Sequence, residues 1–183
     1  WNVIIGSAAA STKKMTFSAW IYKVGDGGGN YGRILEFGDG DVRLYTNNVE
    51  SIYFDVTAWS GANAQWHATS PFSLTTWTHV AVTYDATSTN NNPIIYVNGI
   101  AKTATEDTAP AGTYGAIATN ACYIGNRSDA ARGFNGQISD VAVWNSILSP
   151  EEIKAIYNAS KLPTLAGPGA SADQFPGFHK KIG

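Results

Sequence analysis

Short runs rich in Val, Ile, Thr, Tyr, Phe and Trp recur along the chain up to residue 149, each closed by a cluster of Gly, Asn, Asp or Ser. Hardly any helical periodicity interrupts them. A period of two sends alternate side chains to opposite faces of a strand, so this pattern commits the chain to sheets. The runs are 15–23, 33–37, 42–46, 51–59, 64–69, 78–84, 94–97, 121–124 and 136–144. Nine or more strands at this spacing predict an all-β, antiparallel two-sheet sandwich rather than a small barrel. A chain of 183 residues fits one domain and buries about two thirds of its unfolded surface without staples. The lone Cys122 reads as a small buried hydrophobe.

Local chemistry specifies several connections. Asn98-Gly99 between two apolar runs suits the positive φ of a type I′ hairpin. Ser60-Gly61-Ala62-Asn63 joins two alternating runs, with Ile52, Phe54, Val56 and Ala58 on one face and Tyr53, Asp55, Thr57 and Trp59 on the other. One helix is expected from Ser149: Ser149 caps it, Pro150 takes the first helical position and Glu152 closes a capping box. Ile153, Ile156 and Tyr157 give it one apolar face, expected to pack on the sandwich edge. A Pro- and Gly-rich tail, 163–183, follows a domain spanning 1–162. It reads as a flexible end or as an arm that docks on a neighbouring subunit through Phe175 and Phe178.

Composition removes some function classes. Only 14% of residues are charged, against an average of about 25%. Thr, Ser, Asn, Gly and Ala fill the surface instead, which suits an extracellular or virion-surface setting. A net charge of −2 supplies no basic stripe for nucleic acid. No run approaches the roughly 18–20 apolar residues of a membrane span. The opening WNVIIGSAAAS lacks the charged start of a signal peptide and begins at Trp, which reads as a processed or partial product.

The order of segments MTFSAWIY, RILEFGDGDVRLYT, WTHVAVTYD, IIYVNG, YIGNR and FNGQISDVAVWNSILSPEEIKAIY resembles the laminin G-like, concanavalin A-like domains over about residues 15–160. The resemblance implies a jelly roll. It does not by itself give a ligand, because one fold hosts many functions. Trp20, Trp77 and Trp144 lie in strands with apolar neighbours and are expected between the sheets. His79 is expected to face solvent or a neighbouring strand.

Laminarinase-type hydrolases of that superfamily carry Glu-x-Asp-x-Glu or a close variant on one strand, because retaining hydrolysis needs two carboxylates about 5–5.5 Å apart. EFGDGD offers Glu36, Asp39 and Asp41, but Glu36 and Asp39 have opposite strand parity and two glycines break the segment. It is read as a solvated turn, and the chain as no enzyme. The binding alternative points to aromatics that stack sugar rings: Trp59, Tyr53, Trp66, His67 and Tyr45. Trp66 alternates with Ala64 and Ala68 and suits the core equally well. Relatives in the resembling family often hold one calcium ion. Asp140 matches an acidic position of that family, and Asp26, Asn30, Asn126 and Asp129 offer further oxygens from loops. A hydrogen-bonded strand-end role for Asp140 stands beside that of ligand.

Three functions follow. The first is a carbohydrate-binding or adhesion module whose partner is a glycan or glycosylated surface. The second is a structural virion protein, a capsid decoration or fibre component. The third, disfavoured by carboxylate parity, is a laminarinase-like hydrolase.

Overall fold

The computed structural model describes residues 2–4, 13–47, 51–69, 72–115, 117 and 121–160. In chain order the elements are β1 (Asn2–Ile4), β2 (Lys14–Lys23), β3 (Tyr31–Phe37), β4 (Val42–Asn47), β5 (Ile52–Val56), β6 (Ala64–Ala68), β7 (Trp77–Asp85), β8 (Ile94–Val97), β9 (Ile100–Lys102), β10 (Thr105–Thr108), β11 (Ala121–Ile124), β12 (Gly136–Trp144) and α1 (Pro150–Ser160). They build two antiparallel sheets, ordered β1-β11-β3-β4-β5-β6-β10 and β12-β2-β7-β8-β9. This is the expected sandwich. The tail 163–183, with Phe175 and Phe178, and the boundary at 162 lie outside the described residues.

Alternation in the long strands builds the core. Met15, Phe17, Ala19 and Ile21 of β2 face Leu44 of β4, Phe54 of β5 and Trp66 of β6 across the sheets. Aromatic pairs tie the layers together: Phe17 and Phe54 have ring centres 6.2 Å apart, and Tyr84 lies 5.6 Å from Phe54 and 5.2 Å from Trp66. The Asn98-Gly99 hairpin forms as its chemistry demands, with φ of 52° and 73°. Val97 stands opposite Ile100 across it.

Four expectations are corrected. Trp20, Trp77 and Trp144 are not between the sheets. Trp20 has the opposite parity to Ile21, and Trp77 and Trp144 share its outer side through their pairing with Tyr22 and Thr16. The alternation was ambiguous because both faces of this sheet are covered. Helix α1 lies across the outer face, not at an edge: Ile153 packs with Ala81 and Tyr96, and Tyr157 sits 5.7 Å from Trp20. His79 is therefore buried beneath it, 1% exposed, between Trp20 and Tyr157. The fourth concerns EFGDGD. Gly38–Gly40 does form a tight turn, with φ of 66° and 104° at its glycines. Glu36, however, is 0% exposed, because β3 sits between β11 and β4 and a loop covers its outer side.

Candidate functional site

The outer face of the seven-stranded sheet carries no helix among the described residues. Strand alternation lays two rows of polar and aromatic side chains on it. Pairing aligns Glu36, Arg43, Asp55 and Gln65 across β3 to β6. One rung along, Arg33, Tyr45, Tyr53, His67 and Thr105 align across β3 to β6 and β10. In each strand the inward neighbours, such as Val42, Leu44, Phe54 and Trp66, are core residues, so burial on one side dictates what faces out on the other.

The second row is a comb of rings. Tyr45 and Tyr53 lie 5.1 Å apart at 15°, and Tyr53 and His67 lie 5.2 Å apart at 24°. Tyr31 meets Tyr45 edge-on at 6.0 Å, and the Arg33 guanidinium lies 4.4 Å from the centre of the Tyr45 ring. Rings packed like neighbouring cards cover one another's faces. What they offer a ligand is their polar tips, which differs from the expected flat stacking platforms.

Hydrogen bonds fix the tips of the first row. The Tyr45 hydroxyl donates to Asp55, with Oδ1 at 3.1 Å and Oδ2 at 3.2 Å. Gln65 Nε2 donates to Tyr45 Oη at 3.0 Å and to Asp55 Oδ1 at 3.1 Å. Arg43 Nη1 stands 3.8 Å from Asp55 Oδ2. Burial raises the Asp55 carboxyl above its ordinary range, opposed by Gln65, Arg43 and Tyr45. Burial, and then the Asp55 charge, raises the Tyr45 hydroxyl too. His67 Nδ1 lies 2.7 Å from Asp107 Oδ2. Beside Asp55 a cleft of about 310 Å³ opens, bounded by Arg43, Thr57, Asn63, Gln65 and Thr108.

Of the five aromatic residues nominated from sequence, Tyr45, Tyr53 and His67 come together here. Trp59 and Trp66 do not. Trp66 is 0% exposed, and its Nε1 donates to Asn92 Oδ1 at 3.0 Å. Trp59 is 6% exposed because β5 ends at Val56; residues 57–63 form a wider connection than Ser60–Asn63, and Trp59 bridges to Tyr114. Arg33, Arg43, Gln65, Asp107 and Tyr31 were not anticipated. The available signal was parity: Arg43 and Gln65 each alternate with apolar residues on strands whose other face is core.

The five nominated calcium ligands are not assembled into one set. Asp26 is 3.8 Å from Lys23 Nζ. Asn126 Oδ1 accepts from the backbone N–H groups of Arg127 and Arg132, and Asp129 pairs with Arg127 and accepts from Ala131 N. Asn30 turns its backbone at φ 65°. Asp140 lies in the bulge of β12 on the other sheet, bonded to Ser139 Oγ. A hard cation needs several oxygens converging on one point. No group of three or more His, Cys, Asp or Glu side chains suited to a metal occurs among the described residues.

A family profile described as Concanavalin A-like lectin/glucanases superfamily matches residues 2–154. A pentraxin-related protein of Bos taurus, PTX3, is 32% identical over 94 residues, 48% of this chain and 24% of the relative. The chain thus spans about a quarter of that relative's length. Solved structures share the fold at low identity. The heptameric SAP-like pentraxin of Limulus polyphemus aligns at 18% identity with a TM-score of 0.59, over 80% of this chain and 70% of that one. The Ruminococcus gnavus sialidase CBM40 bound to α2,3-sialyllactose aligns at 16% identity with a TM-score of 0.62, over 81% of this chain and 84% of that one. The receptor-binding domain of botulinum neurotoxin type G aligns at 13% identity with a TM-score of 0.57, over 80% and 38%.

Proposed function

We propose that this chain, which belongs to the Concanavalin A-like lectin/glucanases superfamily, is a non-catalytic carbohydrate-binding module that takes its glycan on the outer face of the seven-stranded sheet. The observation that carries the reading is the pair of rows, Arg43–Asp55–Gln65 and Tyr45–Tyr53–His67, in which Arg43, Gln65, Tyr53 and His67 reach the surface over the buried Asp55 and Tyr45, beside a cleft. A sugar hydroxyl both donates and accepts, and a surface that mixes guanidinium, amide, phenol and imidazole tips matches that demand. The sialyllactose-bound CBM40 structure supports the reading by likeness of fold.

Binding is favoured over hydrolysis because the two acids of the first row are engaged. Glu36 is buried against Arg33 at 3.2 Å, and Asp55 accepts from Tyr45 and Gln65. A general acid must reach the glycosidic oxygen, and a carboxyl shut beneath a loop does not. A glycan partner places the module at an extracellular surface. No observation among the described residues favours the virion reading.

A glycan array followed by titration calorimetry tests the proposal. Tyr53→Ala and His67→Ala are expected to lower affinity for a bound glycan tenfold or more, at unchanged near-UV circular dichroism. An array on which no glycan binds above background sinks the reading.

A further inference from the structure

We propose that the glycan taken by this face is acidic, and that Arg43 receives its carboxylate or sulfate, with the charge of the buried Arg33 behind it. The inference rests on the carbohydrate-binding reading and names the class of ligand for the same site.

A hydrogen-bond account of the row carries it. Its two carboxylates already have donors from the protein. Glu36 Oε2 accepts from Arg33 Nε at 3.2 Å, and Glu36 Oε1 accepts from Ser128 N at 3.3 Å. Both Asp55 oxygens have donors within 3.2 Å. The unmet capacity is on the other side: Arg33 Nη1 and Arg43 Nε are buried and have no hydrogen-bond partner. The Arg33 side chain is only 7% exposed, so its unmet N–H is not answered by bulk water. A buried donor left unpaired is costly, and more so when it is charged.

Charge points the same way. Arg33 and Arg43 are close enough for each to feel the other, and they share Glu36 and Asp55 as nearby anions. Arg43 is the head that an arriving ligand meets, because it borders the cleft. Room for that head depends on Gly40, where a Cβ would stand 2.9 Å from Arg43 Nη2. A neutral hydroxyl offers the guanidinium a single acceptor oxygen, and its own hydrogen must share a carboxylate that already has partners. A carboxylate or sulfate brings acceptors alone, and the planar guanidinium fork matches its paired oxygens.

The test is titration calorimetry of matched pairs: 3′-sialyllactose against lactose, a uronate disaccharide against its carboxyl-reduced form, and a sulfated lactose against lactose. The acidic member of at least one pair is expected to bind tenfold or more tightly, and the pair that shows the preference identifies the source of the anion. That ratio should fall toward one in Arg43→Gln and be partly kept in Arg43→Lys, which retains charge without the fork. It should be unchanged in Lys102→Gln, an exposed position on the other sheet. Equal binding within every pair overturns the inference, as does a preference that survives unchanged in both Arg43 variants. Binding of no glycan, acidic or neutral, overturns the carbohydrate reading itself.

Discussion

His79 shows what a covered outer face does to a single residue. Both ring nitrogens are buried without a hydrogen-bond partner, between Trp20 at 5.5 Å and Tyr157 at 5.8 Å. Burial lowers its pKa from an ordinary 6.5 to about 4, and the charge of Asp140 on β12 only partly opposes this. The unfolded chain therefore takes up a proton below pH 6.5 that the folded chain refuses until about pH 4. Stability from this residue is full above pH 6.5 and falls as pH drops through that window, by about 1.4 kcal/mol per pH unit. Asp55, whose carboxyl is raised, acts in the opposite sense, so the comparison must be between proteins that share it. His79→Phe keeps the aromatic contacts and removes the proton site. Urea unfolding at pH 7.0, 5.5 and 4.5 should give a shallower loss of stability in the variant by about 1 kcal/mol per unit; parallel slopes would refute the assignment. Neither His79 nor Glu36 was legible at this scale. Parity said which side each faced, and nothing in the neighbouring residues said that a helix or a loop covers that side.

At the scale of elements, what local chemistry specifies was legible. The capping box forms reciprocally: Ser149 N donates to Glu152 Oε2 at 2.7 Å, and Glu152 N donates to Ser149 Oγ at 3.2 Å. The Asn98-Gly99 turn forms for the same reason, since its residue types accept the backbone it needs. What the helix docks on was not legible, because Ala81, Tyr96, Trp20 and Ile153 meet only in three dimensions. The two elements are joined at Gly99, where a Cβ would lie 3.0 Å from Tyr157 Cδ1 while φ is 73°. Gly99→Ala should therefore cost about 1–2 kcal/mol from left-handed backbone alone, with a further penalty from the helix contact. Chemical denaturation measures the total. A variant as stable as the parent would show that the hairpin and α1 are not pressed together.

At the scale of the whole molecule, sheet order decides which side chains share the proposed glycan face. β12 pairs with β2, and β11 with β3, from far apart in the chain, so alternation assigns the faces of each strand but not its neighbours. Tyr45, Tyr53 and His67 were legible as a group because they lie on the hairpins β4–β5–β6; Arg43 and Gln65 lie on the same hairpins and were legible by parity alone, while Arg33 joins them only through the pairing of β3 with β4. The same global view spreads the nominated calcium oxygens: the 126–132 loop borders the β3 end of the proposed glycan face, where Ser128 N donates to Glu36, while Asp140 lies on the other sheet. Asn126 and Asp129 are spent on holding their own loop. The proposed arginine-centred site would need no cation between protein and ligand, because a guanidinium supplies the positive charge directly. Glycan binding should accordingly persist with unchanged affinity after dialysis against EDTA, and should weaken as salt rises, since the interaction is between charges at a half-exposed cleft. Titration in EDTA and in calcium, each at low and high salt, reads both effects. Loss of binding in EDTA with recovery on adding calcium would mean that a cation, and not Arg43, joins the glycan to this face.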